Sequence, residues 1–501
     1  MAYVFVTLQW ICLLFFIGIN LGYILLNILS FLSLPSYMRR QVLAHLPETH
    51  TSFNLPISIV IAAYNEEAVV VESIRSLLQL NYPNFEIVVV NDGSKDNTLE
   101  VLKKEFGLVL MPEVFHQRVA HKPIRGVYQS PQYQELRIVD KENGGAKSDA
   151  INAGINAARF PLFLPLDADT ILERDSMKLL AQPFLENPHT IAVGGSVRIA
   201  NGCEVSGGFL TRVGVPSNPV ALFQIVEYLR AFLFGRVGWS AIDALPLISG
   251  AFGLFNKEAV VAVGGYRHDT LGEDMELVMR LHREFRLKGK PYSITFVADA
   301  ACWTEAPESL KVLKRQRTRW QRGLMESLWM NRQLFFHPKS GFLGWLALPF
   351  FLIFEGLGPV IEVGGYFALI FCFVFGFISF EAFYSFMLLA IGLGLLLAFT
   401  SIFLEEITFR TYPKTKHLLV LFCGAVLENF GYRQLNAIWR LEGLIRWLVK
   451  TESKWGDMTR TASWQASAPV DVVSPKTLNP KSTNFEFAPE KKQRKNNLPV
   501  I

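Results

Sequence analysis

Phe160-Pro-Leu-Phe-Leu-Pro-Leu-Asp-Ala-Asp-Thr170 is a mostly apolar run that stops at two carboxylates, Asp167 and Asp169, one residue apart. Such a run reads as a buried strand of a largely parallel sheet. In open α/β sheets, ligands sit beyond the carboxyl ends of the strands. Two carboxylates there can hold a divalent cation, and the cation can hold a diphosphate. The plainer reading is a strand followed by an acidic turn, so the rest of the chain has to decide.

The chain has 501 residues, half of them hydrophobic and 19% charged. Its mean hydropathy of +0.26 is high for a soluble enzyme and places part of the chain in lipid. A net charge of +5 is too modest to argue for nucleic acid and suits an anionic membrane surface. Five scattered cysteines form no Cys-x-x-Cys and no disulfide framework, which fits a reducing compartment.

Residues 4–34 are apolar without Lys or Arg, long enough to span a bilayer and too long for a signal peptide. Arg39 and Arg40 follow, which predicts an uncleaved anchor over 1–36 with the next domain on the cytoplasmic side. After a polar connector, Ile57-Ser-Ile-Val-Ile-Ala-Ala63 reads as a buried strand and residues 66–80 as a helix. Phe85-Glu-Ile-Val-Val-Val-Asn-Asp-Gly-Ser94 is a second strand ending in polar residues, a nucleotide-binding β-α-β layout. Asp92 can accept from a base or ribose; Asp96 or Asn97 can cap the next helix equally well. Residues 106–135 read as a long loop. Leu136-Arg-Ile-Val-Asp140 is a third strand, leading to Gly144-Gly145, Lys147 placed to neutralise a phosphate, and Asp149, which faces the nucleotide or solvent.

Beyond Asp169, residues 191–199 read as a strand and about 221–239 as an aromatic-rich helix. Ser249-Gly-Ala-Phe-Gly-Leu-Phe255 suits a sugar-binding floor or a bulged strand. Glu273 and Asp274 open a helix, where the dipole alone favours acids and where a carboxylate can also take a proton from a hydroxyl. Lys314-Arg-Gln-Arg-Thr-Arg-Trp-Gln-Arg-Gly323 is a dense basic patch. In it, Arg317 and Arg319 could grip a diphosphate and Trp320 could stack on a sugar. Residues 343–372 and 383–404 can each span, with Gly356, Pro359 and Gly364-Gly365 as candidate breaks and Glu355 and Glu362 as intramembrane carboxylates. Residues 417–427 are apolar but short and 428–450 read as an interfacial amphipathic helix, which keeps the disordered tail over 462–501 on the inner side; a span over 416–436 would put it outside.

The set resembles the family-two membrane glycosyltransferases, the group including cellulose, hyaluronan and poly-N-acetylglucosamine synthases. The resemblance covers about residues 56–330. Its stretches are Ile59-Val-Ile-Ala-Ala-Tyr-Asn-Glu66, Asn91-Asp-Gly-Ser94, Asn143-Gly-Gly with Lys147, Asp167-Ala-Asp169, Gly272-Glu-Asp274 and Gln316-Arg-Thr-Arg-Trp320. Two positions depart from the pattern: Gly272 stands where these synthases often have Thr, and Ala146 separates the glycine pair from Lys147. The resemblance implies an α/β GT-A domain (the nucleotide-diphospho-sugar transferase fold) over 55–335, flanked by the anchor and by membrane and interfacial helices over 340–450.

The resemblance further implies an inverting hexosyltransferase that moves sugar from a nucleotide-diphosphate donor, expected to be a UDP-sugar, to a growing polysaccharide. Asp274 is the implied base. Asp92, Lys147, Asp149, Asp167, Gln316, Arg319 and Trp320 face the donor, Glu273 and Trp320 the acceptor, and Asp167 and Asp169 hold Mg²⁺ or Mn²⁺. The expected partners are the donor, a glycan or lipid-linked acceptor and membrane lipids, with room for an export protein and no nucleic acid. The expected place is the inner membrane, multi-pass, with the catalytic domain facing the cytoplasm. Single transfer to a lipid or oligosaccharide is the alternative, and a non-catalytic nucleotide-sugar-binding export component a remote one.

Overall fold

A computed structural model describes residues 2–44, 54–112, 116–376 and 378–450. The connector through 53 and the tail over 462–501 therefore lie outside the described residues, as do the side chains of Arg39 and Arg40.

Twelve strands form among these residues: β1 (Ile57–Ala63), β2 (Phe85–Asn91), β3 (Val109–Met111), β4 (Ile124–Gln129), β5 (Leu136–Lys141), β6 (Leu162–Asp167), β7 (Ile171–Leu172), β8 (Thr190–Ile199), β9 (Glu204–Ser206), β10 (Phe209–Arg212), β11 (Gly253–Asn256) and β12 (Ser293–Thr304). Ten join one sheet in the order β3-β4-β5-β2-β1-β6-β11-β8-β12-β7. The centre, β5-β2-β1-β6, is parallel.

Alternate residues of these central strands face opposite cores. Val60, Val88, Val90, Val139 and Phe163 point one way. Ile57, Ile59, Ile61, Ile87, Val89, Ile138 and Leu164 point the other. That explains why the runs are continuously apolar: both faces are covered by helices, and each fully buried side chain contributes roughly 1.5–3 kcal/mol.

The sheet is mixed rather than largely parallel. β11 runs antiparallel to both β6 and β8, and β7 antiparallel to β12. Residues 106–135 are not one long loop either. They contribute β3 and β4, which pair antiparallel and extend β5 at the sheet edge. Of the stretch 249–255, read as a floor or a bulged strand, only the part from Gly253 is strand, which leaves Ser249 to Phe252 as a loop at the carboxyl end of β6.

Register sets the site. Ala63 lies beside Asn91, Asn91 beside Asp140, and Ala62 beside Asp167. The carboxyl ends of β5, β2, β1 and β6 therefore finish level, with Lys141, Asp92 and Asp167 along one rim. Adjacent strands are about 4.8 Å apart, so Asp92 and Asp167, two strands removed, stand roughly 10 Å from each other.

Among the described residues, three helical stretches are long and apolar enough to cross a membrane: Trp10–Ser33, Leu343–Val374 and Met387–Thr408. The first lies within one helix, Ala2–Ala44, which runs past the expected end of the anchor. The second is interrupted near Gly356 and resumes as the helix Gly358–Val374, which passes through Gly364 and Gly365 unbroken. Glu355 is engaged there. Its carboxylate accepts from Arg440 Nη2 at 2.8 Å and from the Tyr23 hydroxyl, and its carbonyl accepts from Gln321 Nε2 at 3.0 Å. The helix Tyr432–Leu448 supplies Arg440, and its Trp439 carbonyl accepts from the Thr318 hydroxyl at 3.3 Å on the helix Leu310–Met330.

Gly272 has a packing reason. A Cβ on it would lie 2.8 Å from the Gly323 carbonyl oxygen, and a Cβ on Gly323 would lie 2.7 Å from the Gly272 nitrogen. Two backbones touch here, holding the helix Leu310–Met330 against the loop that presents Glu273 and Asp274. Gly323→Val is expected to cost about 1–3 kcal/mol by forcing that contact open. Gly364→Val, where nothing lies within 4 Å, is the comparison. Thermal melts in one detergent should separate the two, and equal melting temperatures would contradict the contact.

Candidate active site

The rim of the parallel strands carries two linked clusters. The first surrounds Lys141, which is fully buried. Its ammonium pairs with Asp92 Oδ1, reaches Asp149 Oδ2 at 2.5 Å, and donates to the Glu142 carbonyl at 2.5 Å. Asp92 Oδ1 also accepts from the Gly144 N–H at 3.0 Å, and the Asp92 carbonyl accepts from Asn143 Nδ2 at 2.7 Å. Asp92 does not cap the following helix; Asp96 does, accepting from the Thr98 N–H at 3.0 Å. Asp149 faces inward, not solvent, and accepts from the Lys122 N–H at 3.1 Å.

Glycine is needed at two places in this cluster. Gly93 has φ +63°, and a Cβ on it would meet the Asn143 nitrogen at 2.7 Å. A Cβ on Gly144 would meet the Asp149 carboxylate at 2.3 Å.

The second cluster surrounds Lys147, the first residue of the helix Lys147–Ala157. Its ammonium lies 2.6 Å from Asp167 Oδ1 and donates to the Gly250 carbonyl at 2.9 Å. The Gly250 N–H in turn donates to Asp274 Oδ2 at 3.0 Å. Asp167 and Asp274, 107 positions apart in sequence, are thus connected through one lysine and one peptide of the Ser249 to Phe252 loop. A small pocket beside them is lined by Lys147, Ser148, Ile151, Pro165, Gly250, Tyr266 and Glu273.

Electrostatics bind the same residues together. Glu273 is raised to about 7, first by burial and then by the charge of Asp274, against the pull of Lys147 and Arg319. The Cys302 thiol is pushed well above its ordinary range by burial and by the charges of Asp167, Glu173 and Asp169. Asp167, Glu173 and Asp169 act on the thiol together, and Arg236 opposes them.

The basic helix divides by face. Gln316, Arg319 and Trp320 fall at i, i+3 and i+4 and share one side. The Gln316 Oε1 is buried with no hydrogen-bond partner among the described residues. The ring of Trp320 lies 5.7 Å from that of Phe232, edge-on. Arg317, whose guanidinium lies 4.6 Å from the centre of the Trp320 ring, is not available to a diphosphate. It is buried and holds Glu227 through two bonds of 2.8 and 2.9 Å, while the Tyr432 hydroxyl donates to the same carboxylate at 3.0 Å.

Asp167 and Asp169 fit a small divalent cation in one respect and limit it in another. Both offer carboxylate oxygens that suit a hard cation, but no group of three or more His, Cys, Asp or Glu that could hold a metal occurs among the described residues. Such a site suits an ion that keeps several waters and takes its remaining ligands from substrate phosphates.

Two family models match the chain. "Glycosyl transferase family 2" matches residues 58–206, and "Glycosyl transferase family group 2" matches residues 162–401. The chain belongs to the family-two glycosyltransferases. Among curated relatives, a poly-beta-1,6-N-acetyl-D-glucosamine synthase of Staphylococcus epidermidis is 30% identical over 272 residues, 54% of this chain and 55% of the relative. The synthase of the same name from Staphylococcus aureus strain COL is 30% identical over 273 residues, with the same coverage. This glycosyltransferase thus spans about half the length of the curated relatives it matches. Among solved structures, a mannosyltransferase from Pyrobaculum calidifontis in complex with GDP-Man and Mn²⁺ is similar at a TM-score of 0.46 and 16% identity, covering 87% of this chain and all of that one.

Lys141 and Gly250 were not singled out from the sequence. A lysine closing a strand, next to Asp140, was a visible signal; the loop at Gly250 gave none.

The Glu273 shift has a consequence for stability. In the unfolded chain the carboxyl loses its proton near pH 4.5, and in the fold near 7. The folded form binds more protons between those values, so stability is full below pH 4.5 and falls as pH rises through 7. Glu273→Gln removes that loss. Its melting temperature should exceed that of the wild type above pH 7 by the equivalent of about 3 kcal/mol and converge with it below pH 4.5. Parallel curves across that range would contradict the shift.

Proposed function

We propose that this glycosyltransferase moves N-acetylglucosamine, with inversion, from its UDP-linked donor to a growing polysaccharide at the inner face of a membrane. The observation that carries the reading is the continuous path Asp167–Lys147–Gly250–Asp274, which sets a phosphate-side pair of acids and a candidate base around one cleft. The product class is taken from the names of the 30%-identical relatives.

In this reading Asp92 accepts from the base or ribose at the rim of β2, and Lys141 fixes it there together with Asp149. Asp167 and Asp169 hold Mg²⁺ or Mn²⁺, which when bound neutralises charge on the leaving diphosphate. Lys147 and Arg319 add positive charge on the same side, and Gln316 has a free acceptor for a sugar hydroxyl or phosphate-bound water. Asp274 takes the proton of the attacking hydroxyl, its carboxylate oriented by the Gly250 N–H. Attack from the face opposite the diphosphate inverts the anomeric centre. Trp320 offers a ring on which the acceptor sugar stacks, and Glu273 lies beside it. The domain over 55–335 faces the cytoplasm, between the anchor over 1–36 and the segments over 340–450.

The test uses the full chain in lipid nanodiscs with radiolabelled UDP-N-acetylglucosamine, with Mn²⁺, with Mg²⁺ and with a chelator. Release of UDP together with a ladder of labelled products, lost on chelation and restored by either ion, is expected. A single labelled addition would favour transfer to a lipid or oligosaccharide. No release of UDP from this donor would overturn the reading.

A further inference from the structure

Four arginines are buried among the described residues: Arg137, Arg236, Arg280 and Arg317. Three of them have a carboxylate. Arg137 lies 3.5 Å from Glu86, Arg280 2.8 Å from Glu276 and Arg317 2.8 Å from Glu227. Arg236 makes no ion pair among the described residues. It is 7% exposed, and its Nη1 is buried with no hydrogen-bond partner there. A buried cation is costly unless a counter-charge reaches it, and here the chain itself provides no direct one. Burial accordingly lowers the guanidinium to about 10, against the pull of Asp274.

The side chain stands beside the transfer cleft. It rises from the helix Gly235–Ala241, and its Cζ lies 4.9 Å from the centre of the Phe232 ring. That ring in turn meets Trp320 edge-on at 5.7 Å. Of the charges that act on Arg236, Asp274 is the strongest. Arg236 also acts on Cys302, where Asp167 and Asp169 act as well. One guanidinium is thus within electrostatic reach of the candidate base and one residue removed from the expected metal acids.

The helix Ala2–Ala44 fixes the backbone on both sides of Arg236. Ser30 Oγ donates to the Phe234 carbonyl at 2.6 Å, and a Cβ on Gly238 would lie 2.6 Å from the Leu26 carbonyl oxygen. A cation held in this way needs little rearrangement when a charged ligand arrives.

The absent counter-charge is an anion that enters the cleft, and the donor diphosphate is the anion of this reaction. In the transfer step the acceptor oxygen bonds to the anomeric carbon. The bond from that carbon to the diphosphate breaks, and its electron pair leaves with the adjoining phosphate. The proton of the acceptor hydroxyl goes to Asp274. One negative charge therefore passes from Asp274 to the diphosphate, and a guanidinium touching the adjoining phosphate favours that passage.

We propose that Arg236 is a further catalytic residue, donating from Nη1 to the sugar-bearing phosphate of the donor. The proposal rests on the transferase reading above.

The full chain in nanodiscs with Mn²⁺ is titrated with UDP and with UMP, which lacks that phosphate. Wild type, Arg236→Met and Arg236→Gln are compared, and each is melted without nucleotide. The wild type should bind UDP more tightly than UMP. Arg236→Met should weaken UDP binding roughly tenfold, the loss of one charge-assisted hydrogen bond, and leave UMP binding unchanged. It should also melt at or above the wild type, because a buried charge without an ion-pair partner is gone. Arg236→Gln reads the same ratio of UDP to UMP affinity if Arg236→Met fails to fold. Equal affinity of the wild type for both nucleotides, or folded variants that lose both alike or neither, would leave Arg236 a packing role alone and overturn the assignment. A wild type that binds neither nucleotide would instead overturn the transferase reading, and the role of Arg236 with it.

Discussion

Asp274→Asn is expected to lower the rate of sugar transfer by about 10²- to 10⁴-fold, the usual contribution of a positioned general base. The substitution preserves shape and the oxygen that can accept from the Gly250 N–H at 3.0 Å. It removes only the capacity to take a proton. Donor affinity should therefore persist, because Asp92, Lys147 and Asp167 stand on other elements of the fold. Single-turnover measurement with saturating donor separates chemistry from binding. A variant that transfers at the wild-type rate would remove Asp274 from the role of base. It would also leave the Gly250 contact as a loop anchor with no chemical purpose.

Lys141→Met carries the second large effect, in stability and donor binding together. The ammonium is fully buried between the carboxylates of Asp92 and Asp149. Removing one partner of a buried ionic group leaves the others uncompensated, at a cost of about 3–5 kcal/mol. Here two carboxylates lose their shared cation, and the rim of β2 and β5 loses its tie. The expected result is a strongly lowered melting temperature, with donor affinity lost in whatever fraction stays folded. The double variant Lys141→Met with Asp149→Asn, which also removes one of the stranded charges, should recover part of the stability. If Lys141→Met alone melts with the wild type, the buried triad is not what holds Asp92 in place.

How much of this was legible beforehand differs by residue. β1, β2 and β6 could be read because both faces are buried, which leaves a nearly continuous apolar run and a polar stop at each carboxyl end. β3 and β4 could not. They are short, β3 is exposed along its whole length, and their pairing depends on β5 rather than on any local pattern. β11 could be read only as one of two alternatives, a strand or a floor for a sugar, because Gly253 and its neighbours satisfy a strand and a loop equally well.

Among the site residues, Asp167, Asp169, Asp274 and Trp320 stand in recognisable local patterns. Arg317 shares such a pattern with Arg319, yet its partner Glu227 lies 90 positions away. Only tertiary structure could tell which arginine was already spent. Lys141 presents the same problem in reverse, since Asp92 lies 49 positions upstream. Arg236 lies in the run read as an aromatic-rich helix, where nothing local marks a buried cation without a carboxylate.

The most direct test of one shared cleft is donor titration of the full chain carrying Asp167→Asn, with and without Mn²⁺, beside the wild type. The account expects Mn²⁺ to tighten UDP-N-acetylglucosamine binding in the wild type and to have no such effect in the variant. Mn²⁺-dependent binding of equal strength in both proteins would contradict it.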